Sequence, residues 1–209
     1  MKFLPRVKEI EILTKKYEES TFKDDFLQAE IEEKEKQLNI SLFKLYDFSQ
    51  DEQDLISYVN DISIPLFRGE ISPYSTVKNI SSIKQYTSVF QKYFLKRYNK
   101  QGEHFKIDVY FKRYFLAIHF RIVSEKPQAV TTDESLNDNQ QFFTTINRIF
   151  STPEKITNDL FMQKDIKGFE SDSFYVIKPN EAKNWHPAVA HLDLMEFVEA
   201  ILKRMPNPQ

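Results

Sequence analysis

Residues 104–123 read HFKIDVYFKRYFLAIHFRIV, and no other stretch of the chain alternates so regularly. Phe105, Ile107, Val109 and Phe111 fall on one face of an extended strand. If Lys112-Arg113 forms the turn, Tyr114, Leu116, Ile118, Phe120 and Ile122 fall on the matching face of the next. A period of two on both sides of a short polar break predicts a β-hairpin with one face in the core. The turn carries neither Asn-Gly nor Asp-Gly, so the alternation alone argues for the pairing.

Working outward, residues 82–99 predict a helix burying Ile83, Tyr86, Phe90, Tyr93 and Phe94. Residues 124–139 are polar and predict a loop, and a helix over 140–150 would use Phe142, Phe143, Ile146 and Ile149. Residues 160–166 and 173–177 predict a second hairpin around Gly168. A final helix over 187–204 carries Val189, Leu192, Leu194, Phe197, Ile201 and Leu202. Toward the N-terminus, 65–80 predicts a loop. A helix after the capping-box string Ser49-Gln50-Asp51-Glu52 should stop before Pro65. Residues 6–45 predict helix broken near Ser20-Thr21, with Ile10, Leu13, Tyr17, Leu27, Ile31, Leu38, Leu42 and Leu45 as a thin apolar stripe. Dense alternating charge (Glu30, Glu32, Glu33, Lys34, Glu35, Lys36) fills the remaining surface. The expected architecture is α+β. A helical hairpin arm over 1–45 precedes an α+β domain over 46–209, in which a small antiparallel sheet of β-hairpins packs with helices. The arm's stripe is too thin for a hairpin stable alone, which suits an interaction element.

Composition narrows the chemistry. The 209 residues include 41% hydrophobic and 14% aromatic side chains, ample for a core. Three glycines (Gly69, Gly102, Gly168) can build neither a phosphate-binding P-loop nor a G-x-G-x-x-G turn. The absence of cysteine excludes disulfides, thiolate catalysis and Cys-ligated metals. No G-x-S-x-G elbow occurs. A charged N-terminus and the lack of a long apolar run predict a cytoplasmic protein without membrane contact.

Net charge is −2, but its distribution is uneven. Residues 84–126 hold ten bases and three acids, a balance of +7 that leaves −9 for the rest. Lys92, Lys96 and Lys100 recur every four residues along one helix face. On the hairpin face away from the core, Lys106, Tyr110, Phe115, His119 and Arg121 mix cations with aromatics, with Arg113 at the turn. Cations neutralise phosphates and exposed rings stack on bases, so DNA backbone contact is one expectation; an ordinary solvated basic face is the other. His186 and His191 lie about 140° apart around a helix, a poor pair for a metal and better suited to helix-start hydrogen bonding. Asp108 or Glu170 could serve a divergent Mg²⁺-dependent nuclease, although the second strand offers no (Asp/Glu)-x-Lys. Near the end, the strand FYVIKPN, the lone Trp185 with His186, and Ala190-His191-x-Asp193-x-x-Glu196 form a strand–loop–helix unit. Its Lys178, Asn180, Trp185 and His186 either anchor the loop or touch a ligand or DNA.

The string Tyr175-x-Ile177-Lys178-Pro179-Asn180, then Trp185, then Ala190-x-x-Asp193-x-x-Glu196, resembles the C-terminal region of bacterial N6-adenine DNA methyltransferases of restriction–modification and phage-defence systems. Leu45-Tyr46-Asp47-Phe48-Ser49-x-x-Glu52 resembles their Leu-Tyr-Gly-Leu-Thr-x-x-Glu segment, with Asp47 where the family carries glycine. Together the two strings touch about 40 residues. No glycine-rich S-adenosylmethionine loop and no Asn-Pro-Pro-Tyr-like motif accompany them. The resemblance therefore implies a non-catalytic, cofactor-free accessory component. DNA would meet Lys92, Lys96, Lys100, Lys106, Arg113, Arg121, Lys178, Asn180 and Trp185, and the helical arm would dock on a methyltransferase or nuclease subunit. The alternative is a protein–protein adaptor with no nucleic-acid role.

Overall fold

The computed structural model describes residues 3–20, 24–98, 102–111, 114–124, 131–132, 165–169 and 173–204. The expected loop over 124–139 and helix over 140–150 lie almost wholly outside them. The chain divides into two compact units, Met1–Gln53 and Asp54–Gln209. Among the described residues no helix is long and apolar enough to cross a membrane.

The first unit is the expected helical hairpin. Helix α1 spans Leu4–Glu19 and α2 spans Asp25–Leu45. Asp24 starts α2 by accepting hydrogen bonds from the amides of Phe26 (2.9 Å) and Leu27 (3.3 Å), which satisfies two orphan donors. The helices run antiparallel: Lys34 Nζ lies 2.7 Å from Glu9, and the Arg6 guanidinium donates to Ser41 at 2.9 Å. Ile10, Leu13 and Tyr17 of α1 and Leu27, Ile31, Leu38 and Leu42 of α2 are half-buried, and neither helix buries a residue fully. Helix α3 (Gln50–Tyr58) follows, with the Glu52 carboxylate accepting from both the amide and the hydroxyl of Ser49 at 2.8 Å.

Helical structure continues past the expected stop at Pro65. A π turn over Val59–Ser63 leads into α4, Ile64–Arg68. The wider turn places Pro65 in the first turn of a new helix, where its missing N–H costs nothing. Gly69, at φ 70°, ends α4 in the left-handed conformation. Helix α5 spans Ile80–Tyr98, with the Asn79 side chain accepting from the amide of Ser82 at 3.1 Å.

The sheet has the order β3-β1-β2-β5-β4, with β1 His104–Phe111, β2 Phe115–Val123, β3 Thr131–Thr132, β4 Ile166–Phe169 and β5 Ser173–Pro179. β1, β2, β5 and β4 are antiparallel neighbours, and β3 adds a two-residue parallel edge to β1. The first hairpin pairs Phe111 with Leu116 rather than with Tyr114, a slip of two from a two-residue turn at 112–113. An even slip leaves every side chain on its expected face, so the alternation survives. β4 and β5 pair antiparallel as the second hairpin expects, but Gly168 lies within β4, and of the strand expected over 160–166 only residues 165–166 are among those described. Gly168 stands opposite Tyr175, whose ring occupies the space a Cβ would need. A 3₁₀ turn (Ala182–Trp185) and α6 (Pro187–Arg204) complete the second unit.

Helices α5 and α6 cover one face of the sheet. The core there is dominated by phenylalanine. Phe120 stacks on Phe90 (4.4 Å between centroids) and on Phe174 (4.6 Å), and Phe174 meets Phe197 of α6 at 4.6 Å. Ile83, Tyr86, Leu116, Ile118, Val176, Trp185 and Ala190 complete this layer.

Candidate functional site: two ion-paired clusters on the sheet

The strand β5 alternates Phe174, Val176 and Lys178 toward the helices, so a lysine takes the third core position. Its stem and ammonium are buried, with 3% of the residue exposed. Asp193 stands three residues before Glu196 and one before Leu194 on α6, in phase with the helix's inward Ala190 and Phe197. Lys178 Nζ meets Asp193 Oδ2 at 2.5 Å, and the same oxygen accepts the Tyr86 hydroxyl at 2.5 Å. The other carboxylate oxygen takes Lys167 Nζ of β4 at 2.6 Å, and Lys167 also pairs with Glu196 at 2.5 Å. Lys178 sits 6.0 Å from the ring centres of Tyr86 and Trp185. Burial first, then the Asp193 charge, pushes the Tyr86 phenol well above its usual pKa near 10. Burial works against the Lys167 ammonium, but Asp193 and Glu196 outweigh it and raise its pKa. A buried aspartate that receives two ammonium groups and a phenol is thereby satisfied within the fold.

The loop beyond Lys178 is equally closed on itself. Asn180 Oδ1 accepts the amide of Val77 at 3.0 Å, and the Asn180 amide donates to Tyr114 O at 3.0 Å. Trp185 is 2% exposed and its indole N–H donates to Pro179 O at 3.0 Å. Lys178, Asn180 and Trp185 are thus interior residues holding β5, the 3₁₀ turn and α6 together, and not the DNA-facing surface expected of them. The loop-anchoring side of the sequence expectation describes their placement. His186 behaves as a helix-start residue: its Nδ1 accepts the amide of Ala188 at 3.2 Å. Its ring stands edge-on to Tyr58 at 5.2 Å. Burial lowers its pKa, against the pull of Asp61 and Asp54. His191 reaches Asp54 instead, at 2.9 Å.

The second cluster lies on the opposite sheet face. The register places Asp108, His119, Tyr175 and Gly168 in one row across β1, β2, β5 and β4. Lys106 stands opposite Arg121 in the next row. Asp108 is 3% exposed and draws both cations: Lys106 Nζ at 3.2 Å and the Arg121 guanidinium, whose Nε donates at 2.9 Å. Lys106 and Arg121 keep about 30% of their side-chain surface, at 27% and 31%. Tyr110 and His119, expected on a solvent-facing surface, are buried at 1% and 7% exposure. The reason is that Tyr110, Ala117, Ile166, Tyr175 and Ile177 make a second, smaller apolar cluster on this face. Both cations on this face therefore pair with the protein's own carboxylate at Asp108.

Of the α5 stripe, Lys92 is exposed, as are Lys78 and Lys84. Lys96 lies in the backbone of α5, while Lys100, Arg113 and Glu170 fall outside the described residues. The ion-paired Lys178 and Asp193 were identifiable by phase alone, since each stands where its element's pattern calls for an apolar residue. No protein-family model, no curated protein and no solved structure matches the chain.

Proposed function

We propose that this chain is a non-catalytic interaction component whose N-terminal helical hairpin captures a partner protein. One observation carries this reading: neither α1 nor α2 buries a residue, while Leu4, Ile12, Phe26 and Leu45 are 56%, 64%, 80% and 58% exposed. Two helices that share only a half-buried stripe gain little from each other. A further surface laid on them would supply the missing burial. The strings resembling adenine-methyltransferase C-termini make a methyltransferase or nuclease subunit of a restriction–modification or phage-defence system the first partner to test. In the α+β unit, Lys178, Asp193 and Asp108 are taken up by ion pairs within the fold.

Co-expression of the full chain with such a subunit tests the reading. Leu4→Asp with Ile12→Asp should reduce co-purification at least tenfold with the helix content of the chain unchanged. Undiminished capture by that variant removes the α1 surface from the argument.

Backbone contact with DNA is a second reading, favoured by the exposure of Lys78, Lys84 and Lys92 around α5. It expects duplex affinity to fall steeply with salt and to drop when Lys92, Lys96 and Lys100 are changed to Glu. Equal affinity of that triple variant, or a flat salt dependence, overturns it.

A further inference from the structure

The face of α2 turned away from α1 carries a pattern of its own. Phe26, Glu33 and Ile40 recur every seven residues, and so do Ala29, Lys36 and Phe43. At 100° per residue these six share one face, centred roughly 180° from the stripe of Leu27, Ile31, Leu38 and Leu42 that meets α1. Phe26 is 80% and Ile40 44% exposed; Ala29, Glu33 and Lys36 are exposed, and Phe43 is half-buried. Seven-residue spacing with two positions per repeat is the signature of a helix–helix seam.

The seam is its own complement. If a second α2 is laid against it antiparallel about a two-fold axis, Phe26 meets the other copy's Phe43, Ala29 meets Ile40, and Glu33 meets Lys36. All three layers are then matched in size or charge, and each occurs twice by symmetry, as a closed two-fold interface requires. Shifting the partner by one heptad opposes Glu33 to a phenylalanine or leaves the charges without opposites, and parallel alignment sets Glu33 against Glu33. The central charge pair thus selects one register and one direction, the best-attested use of polar groups within a helical seam.

We infer that the exposed seam Phe26/Ala29/Glu33/Lys36/Ile40/Phe43 docks a second copy of this chain, giving an antiparallel α2–α2′ contact with Glu33 and Lys36 paired across the axis. The inference rests on the reading of the arm as an interaction element, and it uses a face different from the Leu4/Ile12 surface of α1. Three layers make a short seam, so the association is weak and belongs in the micromolar range.

Sedimentation equilibrium of the full-length protein from low to high micromolar concentration should show a monomer–dimer equilibrium. Glu33→Lys and Lys36→Glu should each weaken it roughly tenfold or more, because each opposes like charges twice. The double exchange Glu33→Lys/Lys36→Glu re-forms both pairs and should return the dissociation constant to within about threefold of the parent. Both positions of the test are exposed, and circular dichroism checks that the three variants keep their helices. A parent protein monomeric throughout, unaffected single variants, or a double exchange no better than the singles overturns the inference. Undiminished partner capture by the Leu4/Ile12 variant with the dimer intact defeats the proposed function alone. Retained capture by a monomeric chain defeats the self-association alone.

Discussion

Lys178 has given up nearly all its hydration, and what it receives in return is a carboxylate and two aromatic faces. Removing one partner of such a pair leaves the other buried without compensation. Lys178→Met should therefore destabilise the protein by about 3 kcal/mol or more, read by urea denaturation. Adding Asp193→Leu should recover part of that loss, because a matched apolar pair no longer strands a charge. If Lys178→Met unfolds at the parent's urea midpoint, the pair contributes nothing. A loss of any binding activity in Lys178, Asn180 or Trp185 variants must be checked against folding first, since all three are interior. His186 makes the pH prediction. Burial lowers its pKa below the unfolded value near 6.5, and its Nδ1 must be unprotonated to accept the Ala188 amide. Its contribution to stability is present above about pH 6.5 and is lost as pH falls through the lowered folded-state value. Asp54 and Asp61 oppose this by favouring the charged ring. His186→Asn, which keeps a capping acceptor, should flatten the dependence of the thermal midpoint between about pH 7 and 5. An unaltered pH profile counts against the assignment.

Elements were legible in proportion to how far local pattern, rather than distant contact, decides them. The 104–123 alternation yields the hairpin and both faces correctly, yet not the pairing, because a slip of two changes no face and so leaves no trace in the pattern. Burial of the second face was illegible for a different reason. Lys106, Asp108 and Arg121 look solvated in sequence, and they become tolerable beside Tyr110 and Tyr175 once Asp108 sits between the two cations. The helix stop at Pro65 was misjudged because a π turn resets the hydrogen-bond register and makes Pro65 a first-turn residue. Asp47, the position where the family string carries glycine, has φ 54°, a conformation that Asp tolerates better than most side chains. At Gly168 the constraint is packing. Tyr175 fills the missing side chain's place, so Gly168→Ala should cost about 1–3 kcal/mol by displacing the ring. Gly168→Ala with Tyr175→Phe should recover little, because ring carbons as well as the hydroxyl occupy the space. Full recovery in that double variant would show that the hydroxyl alone makes the clash.

At the level of the molecule, the two units differ in what holds them. The arm depends on a half-buried stripe and surface pairs such as Lys34–Glu9, whereas the α+β unit is built on contiguous phenylalanine rings. Surface pairs contribute little each, so the arm should open at lower temperature or denaturant than the sheet, and unfolding should depart from a single two-state step. Far-ultraviolet circular dichroism, which weights the long helices, should then begin to fall before any probe of the sheet responds. Coincident transitions would contradict the difference in stability. The buried indole of Trp185 makes this measurable without labels. It is the chain's single tryptophan, wedged between β5 and α6 against Tyr86. Its emission consequently reports the sheet-and-helix unit and stays silent about the arm, so one cuvette carries two independent clocks. A ligand that shifts the helical signal alone announces an event at the hairpin.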